Sequence, residues 1–167
     1  LVAGIYVVYR VPDTEEVRVV TSKVWQRLGA QMPTLPVQMV SNGDTVMMLN
    51  PADQKLYFVD LFGEDELDPD SWNIAEAEVP NPEAKYTAIA YISGVFVASC
   101  HIGAGSYIQY SEVLDTAMVH AFQLDTALTN LTAISSNMRE LWCFGSNSIE
   151  VVSPTGETGT DFFAHVT

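Results

Sequence analysis

The chain has 167 residues, 48% of them apolar, which is enough to bury a core as one folded domain. It carries 21 acidic and 7 basic residues, for a formal net charge of −14. Proteins that bind nucleic acids or anionic membranes present clusters of Lys and Arg, and the sequence has no such cluster, which argues against both classes.

Alternating runs of apolar residues, separated by turn residues, predict a series of β-hairpins along the chain. The four predicted hairpins join residues 5–9 to 17–21, 46–49 to 56–59, 95–98 to 107–110 and 141–144 to 149–152. Further short strands are predicted at 24–28, 37–41, 72–78, 88–91, 131–135 and 162–166, and part of 113–128 is compatible with a helical turn.

The fourth hairpin has the clearest pattern. Glycine, serine and asparagine at positions 145–148 favour a tight turn, and the flanking residues favour a half-buried pleated surface. If Gly145 has a positive φ, Gly145→Val is expected to destabilise the hairpin by ~1–3 kcal/mol. The structural residues predicted for this hairpin are Leu141, Trp142, Phe144, Gly145, Ile149 and Glu150.

The hairpins recur every ~40–50 residues, and each repeat contains about four short strands, which is typical of β-propeller blades. We therefore predict an all-β, propeller-like chain with approximate blades at 1–29, 37–79, 86–128 and 131–167. An irregular β-sandwich would explain the alternation but not the recurrence of the hairpin. Because the chain begins at Leu1, inside a predicted strand, we expect it to be a fragment of a larger propeller.

Both cysteines, Cys100 and Cys143, lie in apolar strand-like runs, which favours two reduced and packed thiols. A disulfide between them would require two strands side by side, which the sequence does not reveal. No stretch reaches the ~18 consecutive apolar residues of a membrane span, and no signal peptide is recognisable.

Catalytic and metal-binding motifs are not evident. His101, His120 and His165 are far apart in the sequence and lack a carboxylate or thiol at ligand spacing. Glu140 and Glu150 flank the fourth hairpin, but their spacing does not place them face to face as an acid–base pair. We therefore expect no enzyme activity and no cofactor.

An acidic loop and several aromatic residues are the remaining candidates for binding. The loop is a candidate calcium site, but it lacks the order of ligands in a dedicated calcium loop, so a solvated run of charges is favoured. The aromatic residues suit core packing, with carbohydrate stacking as the alternative. The loop carboxylates are Glu64, Asp65, Glu66, Asp68 and Asp70, and the aromatic residues are Trp25, Trp72, Trp142, Tyr107 and Tyr110.

The fourth unit, residues 138–152 followed by 153–156 and Phe162-Phe163, resembles a recurrent segment of the packaged-DNA stabilization proteins of short-tailed phages. Residues 91–98 and 105–111 resemble an upstream hairpin of the same family, so that the resemblance covers about 88–163. Its motifs are structural rather than catalytic.

The resemblance implies a tail-hub or head-completion protein of the virion, assembled in the host cytoplasm. Several copies would form a ring below the portal, retain packaged DNA and contact the portal or head–tail adaptor and other tail proteins. Genomic DNA would pass without sequence-specific binding, and the net charge of −14 suggests an acidic wall along its path. A different function, a β-propeller binding module that recognises a host-surface glycan or protein, stays open, and a propeller hydrolase would need a carboxylate site that the sequence does not reveal.

Overall fold

The fold is all-β in the computed structural model, which describes residues 6–10, 17–21, 38–51, 53–60, 74–125 and 130–166. Strands β1 (Tyr6–Arg10) and β2 (Val17–Thr21) form a two-stranded antiparallel sheet. All other strands of the described residues belong to three four-stranded antiparallel sheets, which we call sheets I, II and III.

The strands of each four-stranded sheet follow one another in chain order, as an up-and-down meander. Sheet I contains β3 (Gln38–Ser41), β4 (Thr45–Asn50), β5 (Lys55–Asp60) and β6 (Ile74–Glu76). Sheet II contains β7 (Lys85–Ile92), β8 (Val95–Ile102), β9 (Gly105–Tyr110) and β10 (His120–Gln123). Sheet III contains β11 (Ala133–Asn137), β12 (Glu140–Phe144), β13 (Ile149–Pro154) and β14 (Phe163–His165), with a 3₁₀ turn at Gly159–Asp161 before β14.

The predicted all-β class and the four hairpins are confirmed, since the hairpins correspond to β1–β2, β4–β5, β8–β9 and β12–β13. The helical turn allowed within 113–128 is wrong for the described part of that segment, where β10 pairs with β9 instead. The strand predicted at 24–28 and the acidic loop at 64–70 lie outside the described residues.

Sheet II lies between sheets I and III and is buried on both faces. In β8, Val95 and Val97 pack into the core shared with sheet III, whereas Phe96, Ala98 and Cys100 pack into the core shared with sheet I. Every residue from 95 to 100 is buried, so this strand is apolar on both faces, as strands covered on two sides are.

The first strands of the three sheets lie next to one another, with β7 in contact with both β3 and β11. The Gln38 side chain joins sheets I and II: its Nε2 donates to the Thr87 carbonyl at 3.2 Å, and its Oε1 accepts from the Ile89 N–H at 3.2 Å. On the other side, the His101 Nε2 lies 3.1 Å from the Leu131 carbonyl, which precedes β11.

Tyr110 ties sheet II to the end of sheet III. Its hydroxyl donates to the carbonyls of Gly159 and Thr160, at 3.0 and 3.2 Å. Its buried ring packs edge-on against Phe163, with ring centroids 5.0 Å apart. This aromatic residue therefore belongs to the core and not to a carbohydrate-binding surface.

The turn of the fourth hairpin forms without a positive φ at Gly145. In the fourth hairpin the Gly145 N–H donates to the Ser148 carbonyl at 2.9 Å, and none of these four described turn residues has a positive φ. The condition for the expected effect of Gly145→Val, a positive φ at Gly145, is therefore not met. Positive φ occurs instead between β7 and β8, at Ser93 (50°) and Gly94 (90°), as the mirror-image turns of tight hairpins require.

We predict that Gly94→Ala destabilises the protein by ~1–3 kcal/mol, because a side chain is strained at this φ and its Cβ would lie 3.1 Å from Val113 Cγ1. The control is Gly145→Ala, which lacks the backbone penalty because the φ of Gly145 is not positive. Urea unfolding of the two variants measures the loss of stability in each. Equal unfolding midpoints for the two variants would contradict the assignment.

Candidate functional site

The residues of the fourth hairpin divide between the two faces of sheet III. Leu141 lies opposite Val152, and Cys143 lies opposite Glu150, all on the face that packs against sheet II. Trp142 lies opposite Val151 on the outer face, where both side chains are half-buried. The hairpin thus supplies a core face and an open face.

A cleft opens where β14 stops short of the beginning of β13. β14 ends at His165, opposite Val152, and Val166 adds one further bond, from its N–H to the Val151 carbonyl at 2.9 Å. Ile149 and Glu150 lie beyond this point, next to the cleft, which has a volume of about 830 Å³. Its lining residues are Gln123, Leu124, Asp125, Glu140, Trp142, Ile149, Glu150, Val151, His165 and Val166.

Glu150 lies deep in the cleft, with 12% of its side chain exposed. Its Oε2 accepts the Asp125 N–H at 2.8 Å, which fastens the end of β10 to sheet III. Its Oε1 lies 2.6 Å from the Nδ1 of His165, a contact that becomes an ion pair when the imidazole is protonated. The Phe122 ring lies against the imidazole, with centroids 4.9 Å apart.

Glu140 and Trp142 form a second fixed pair in the same cleft. The Trp142 indole Nε1 donates to Glu140 Oε2 at 3.0 Å. This bond holds the indole in one orientation while the ring remains half-buried. Glu140 and Glu150 therefore line the same cleft from opposite faces of sheet III, and each carboxylate contacts a different partner.

A second cavity, of about 360 Å³, lies beside the first strands of the sheets. Its described lining contains no Asp, Glu, Lys or Arg. Strands β3, β7 and β11 carry no carboxylate and one lysine, Lys85. Among the described residues, most exposed carboxylates lie between strands, as Asp44, Asp53 and Glu83 do. The expected acidic wall is therefore not formed by these three strands.

Each of the three histidines contacts a different partner. His120 Nε2 lies 2.6 Å from Glu112 Oε1, beside the Tyr110 ring. His165 contacts Glu150. His101 contacts the Leu131 carbonyl. Within the described ranges, no three His, Cys, Asp or Glu residues are grouped so that they could hold a metal ion. The calcium candidate loop falls in the segment that the structure does not describe.

The two cysteines are free, buried thiols, as predicted. Cys100 lies in the core between sheets I and II, and Cys143 lies in the core between sheets II and III. Burial raises the pKa of each thiol from 9.0 to about 12, so both are neutral at physiological pH. Because the middle sheet separates them, they do not form a disulfide in this fold.

Comparisons with known proteins identify no relative of this chain: no family model matches, and neither a curated protein nor a solved structure is similar to it. The resemblance of residues 88–163 to packaged-DNA stabilization proteins therefore stays a prediction. Trp25 and Trp72 lie outside the described residues. Within the described part of the chain, no helix is long and apolar enough to cross a membrane.

We predict that the protein loses stability above about pH 9. Unfolded thiols ionise near 9.0, whereas the buried thiols keep their protons to about 12, so unfolding releases protons in this window and stability falls as the pH rises. Burial also raises the pKa of the Tyr86 hydroxyl, which adds to the fall above its ordinary value.

The expected loss for the two thiols is on the order of 1–3 kcal/mol at about pH 10, measured by urea unfolding along a pH series. The control is the double variant Cys100→Ala/Cys143→Ala, which starts less stable but falls less steeply with pH. An identical slope in the double variant would show that the thiols do not cause the loss.

Proposed function

We propose that this chain is a non-catalytic structural protein of a phage virion, a propeller-like subunit of a tail-hub ring below the portal. The observation that carries the proposal is the stack of three consecutive four-stranded meanders with their first strands side by side. Meanders in this arrangement are the units of a β-propeller. The resemblance of residues 88–163 to packaged-DNA stabilization proteins supports the same function.

The chemistry of the first strands suits a channel that DNA passes without sticking. The exposed side chains on β3 and β11 include Gln38, Ser41, Ser135 and Asn137, which carry no charge. Phosphate binding depends on Lys and Arg; β3 and β11 have neither, and β7 has a single exposed lysine, Lys85, at its start. With a net charge of −14, the rest of the protein would repel the duplex from its outer surface.

In this proposal the ring retains DNA through its shape and its contacts with other tail proteins. Each sheet contributes turns at both ends, and these turns are the natural sites of contact with the portal or adaptor. The partners are expected to be copies of the chain itself, the portal or head–tail adaptor, and later tail proteins.

The test is the native mass in solution, measured by light scattering with and without the portal protein of a short-tailed phage. We expect an assembly that is a fixed multiple of the 18.3 kDa chain and that does not dissociate on moderate dilution, or stable capture by the portal. A monomer at every concentration that ignores the portal would overturn the proposal.

The second candidate function is a binding module that recognises a host-surface glycan or protein. The observation that favours it is the cleft of about 830 Å³ that Trp142 lines together with polar side chains. Concave sites with an aromatic wall and a few fixed polar groups are typical of ligand binding. Titration with oligosaccharides and peptides tests this function separately from assembly.

A further inference from the structure

We infer that the cleft beside β13 is a docking site for an arginine-containing segment of a partner protein. The inference rests on the binding function proposed above for this cleft and names the chemistry of its ligand. It does not depend on ring assembly, because every described side chain that lines the cleft comes from one chain.

The first argument is charge. Asp125, Glu140 and Glu150 line the cleft, and none of the described residues that line it is Lys or Arg. Among the described lining residues the one basic side chain is His165, and its Nδ1 lies 2.6 Å from Glu150 Oε1. A cationic ligand is therefore attracted by the cleft and by the chain as a whole, whose net charge is −14.

The second argument is the fixed indole. Trp142 is half-buried, and its Nε1 is bonded to Glu140 Oε2 at 3.0 Å, so that the ring and a carboxylate are already placed together. A guanidinium group stacks on an indole and donates in parallel to carboxylate oxygens, which a compact ammonium does less well. Because this pair is ordered before binding, little conformational entropy is lost on association.

The third argument is the arrangement of the carboxylates on two faces. Glu140 lies on the outer face of sheet III with Trp142, whereas Glu150 lies on the inner face with Cys143. Side chains of an extended segment alternate between two sides. A segment that enters beside Ile149, where β14 has ended, would thus present every second side chain, an arginine, to Glu140 and Trp142 on the outer face, while Glu150 keeps its contacts with Asp125 and His165.

A neutral saccharide is the competing ligand, since sugars also stack on indole rings. It would leave the charge of the three carboxylates in the cleft uncompensated, and it would gain nothing from the net charge of the chain. The charge of the cleft therefore favours the cationic peptide.

The experiment measures the fluorescence anisotropy of a labelled peptide of alternating arginine and serine, titrated with the full chain at low salt. Glu140→Gln and Asp125→Asn should each weaken binding by about three- to tenfold, and Trp142→Ala by about tenfold. Raised salt should weaken binding to the native chain as well.

The matched control is Glu83→Gln, which removes the same charge at an exposed turn position that does not line the cleft. This variant should bind the peptide as the native chain does. Peptides with glutamate or lysine in place of arginine complete the series, and we expect no binding of the first and weaker binding of the second.

Several outcomes would overturn the inference. An equal loss in Glu83→Gln and Glu140→Gln would mean unspecific attraction, and unchanged binding in both Glu140→Gln and Asp125→Asn would exclude the cleft. Equal affinity for the lysine peptide would overturn the assignment to arginine. Binding of a neutral oligosaccharide without the peptide would overturn the inference and leave the binding function standing. If Trp142→Ala does not fold, the two carboxylate variants decide.

Discussion

The fold depends on the burial of both faces of sheet II. β8 contributes alternate side chains to two cores, so neither core can form without this strand, and sheets I and III are held together through it. Burial of apolar surface is the main source of stability in a domain of this size. The apolar cores hold the sheets together. The side-chain hydrogen bonds of Gln38 to sheet II and of Tyr110 to the end of sheet III fix the positions of the sheets relative to one another.

The sequence predicts the hairpins well because alternation and turn residues are local signals. It is less informative for β7, where bulky and small apolar residues follow one another without alternation because sheets cover both faces. The Ser93-Gly94 pair is also a local turn signal, and it marks the hairpin between β7 and β8 that the predicted series left out. A glycine in a turn does not by itself specify its φ, so the sequence leaves the φ of Gly145 undecided.

The cleft is predictable only in part. The sequence singles out Trp142, Glu140 and Glu150 in or beside the fourth hairpin, but it does not associate Gln123, Asp125 and His165 with them. These residues come together because β10 ends beside Glu150 and β14 stops opposite Val152. The end of a strand and its register against a distant neighbour are decided by tertiary packing, which single-sequence patterns do not encode.

The Gln38 amide keeps sheets I and II separate while it joins them. β7 is one of the two edge strands of sheet II, and an edge strand presents backbone groups that can recruit another strand. By bonding the Thr87 carbonyl and the Ile89 N–H, Gln38 occupies part of this edge with a side chain rather than with a backbone. Sheets I and II are thereby joined without fusing into one continuous sheet, and the same amide blocks a place where a foreign strand could begin an aggregate.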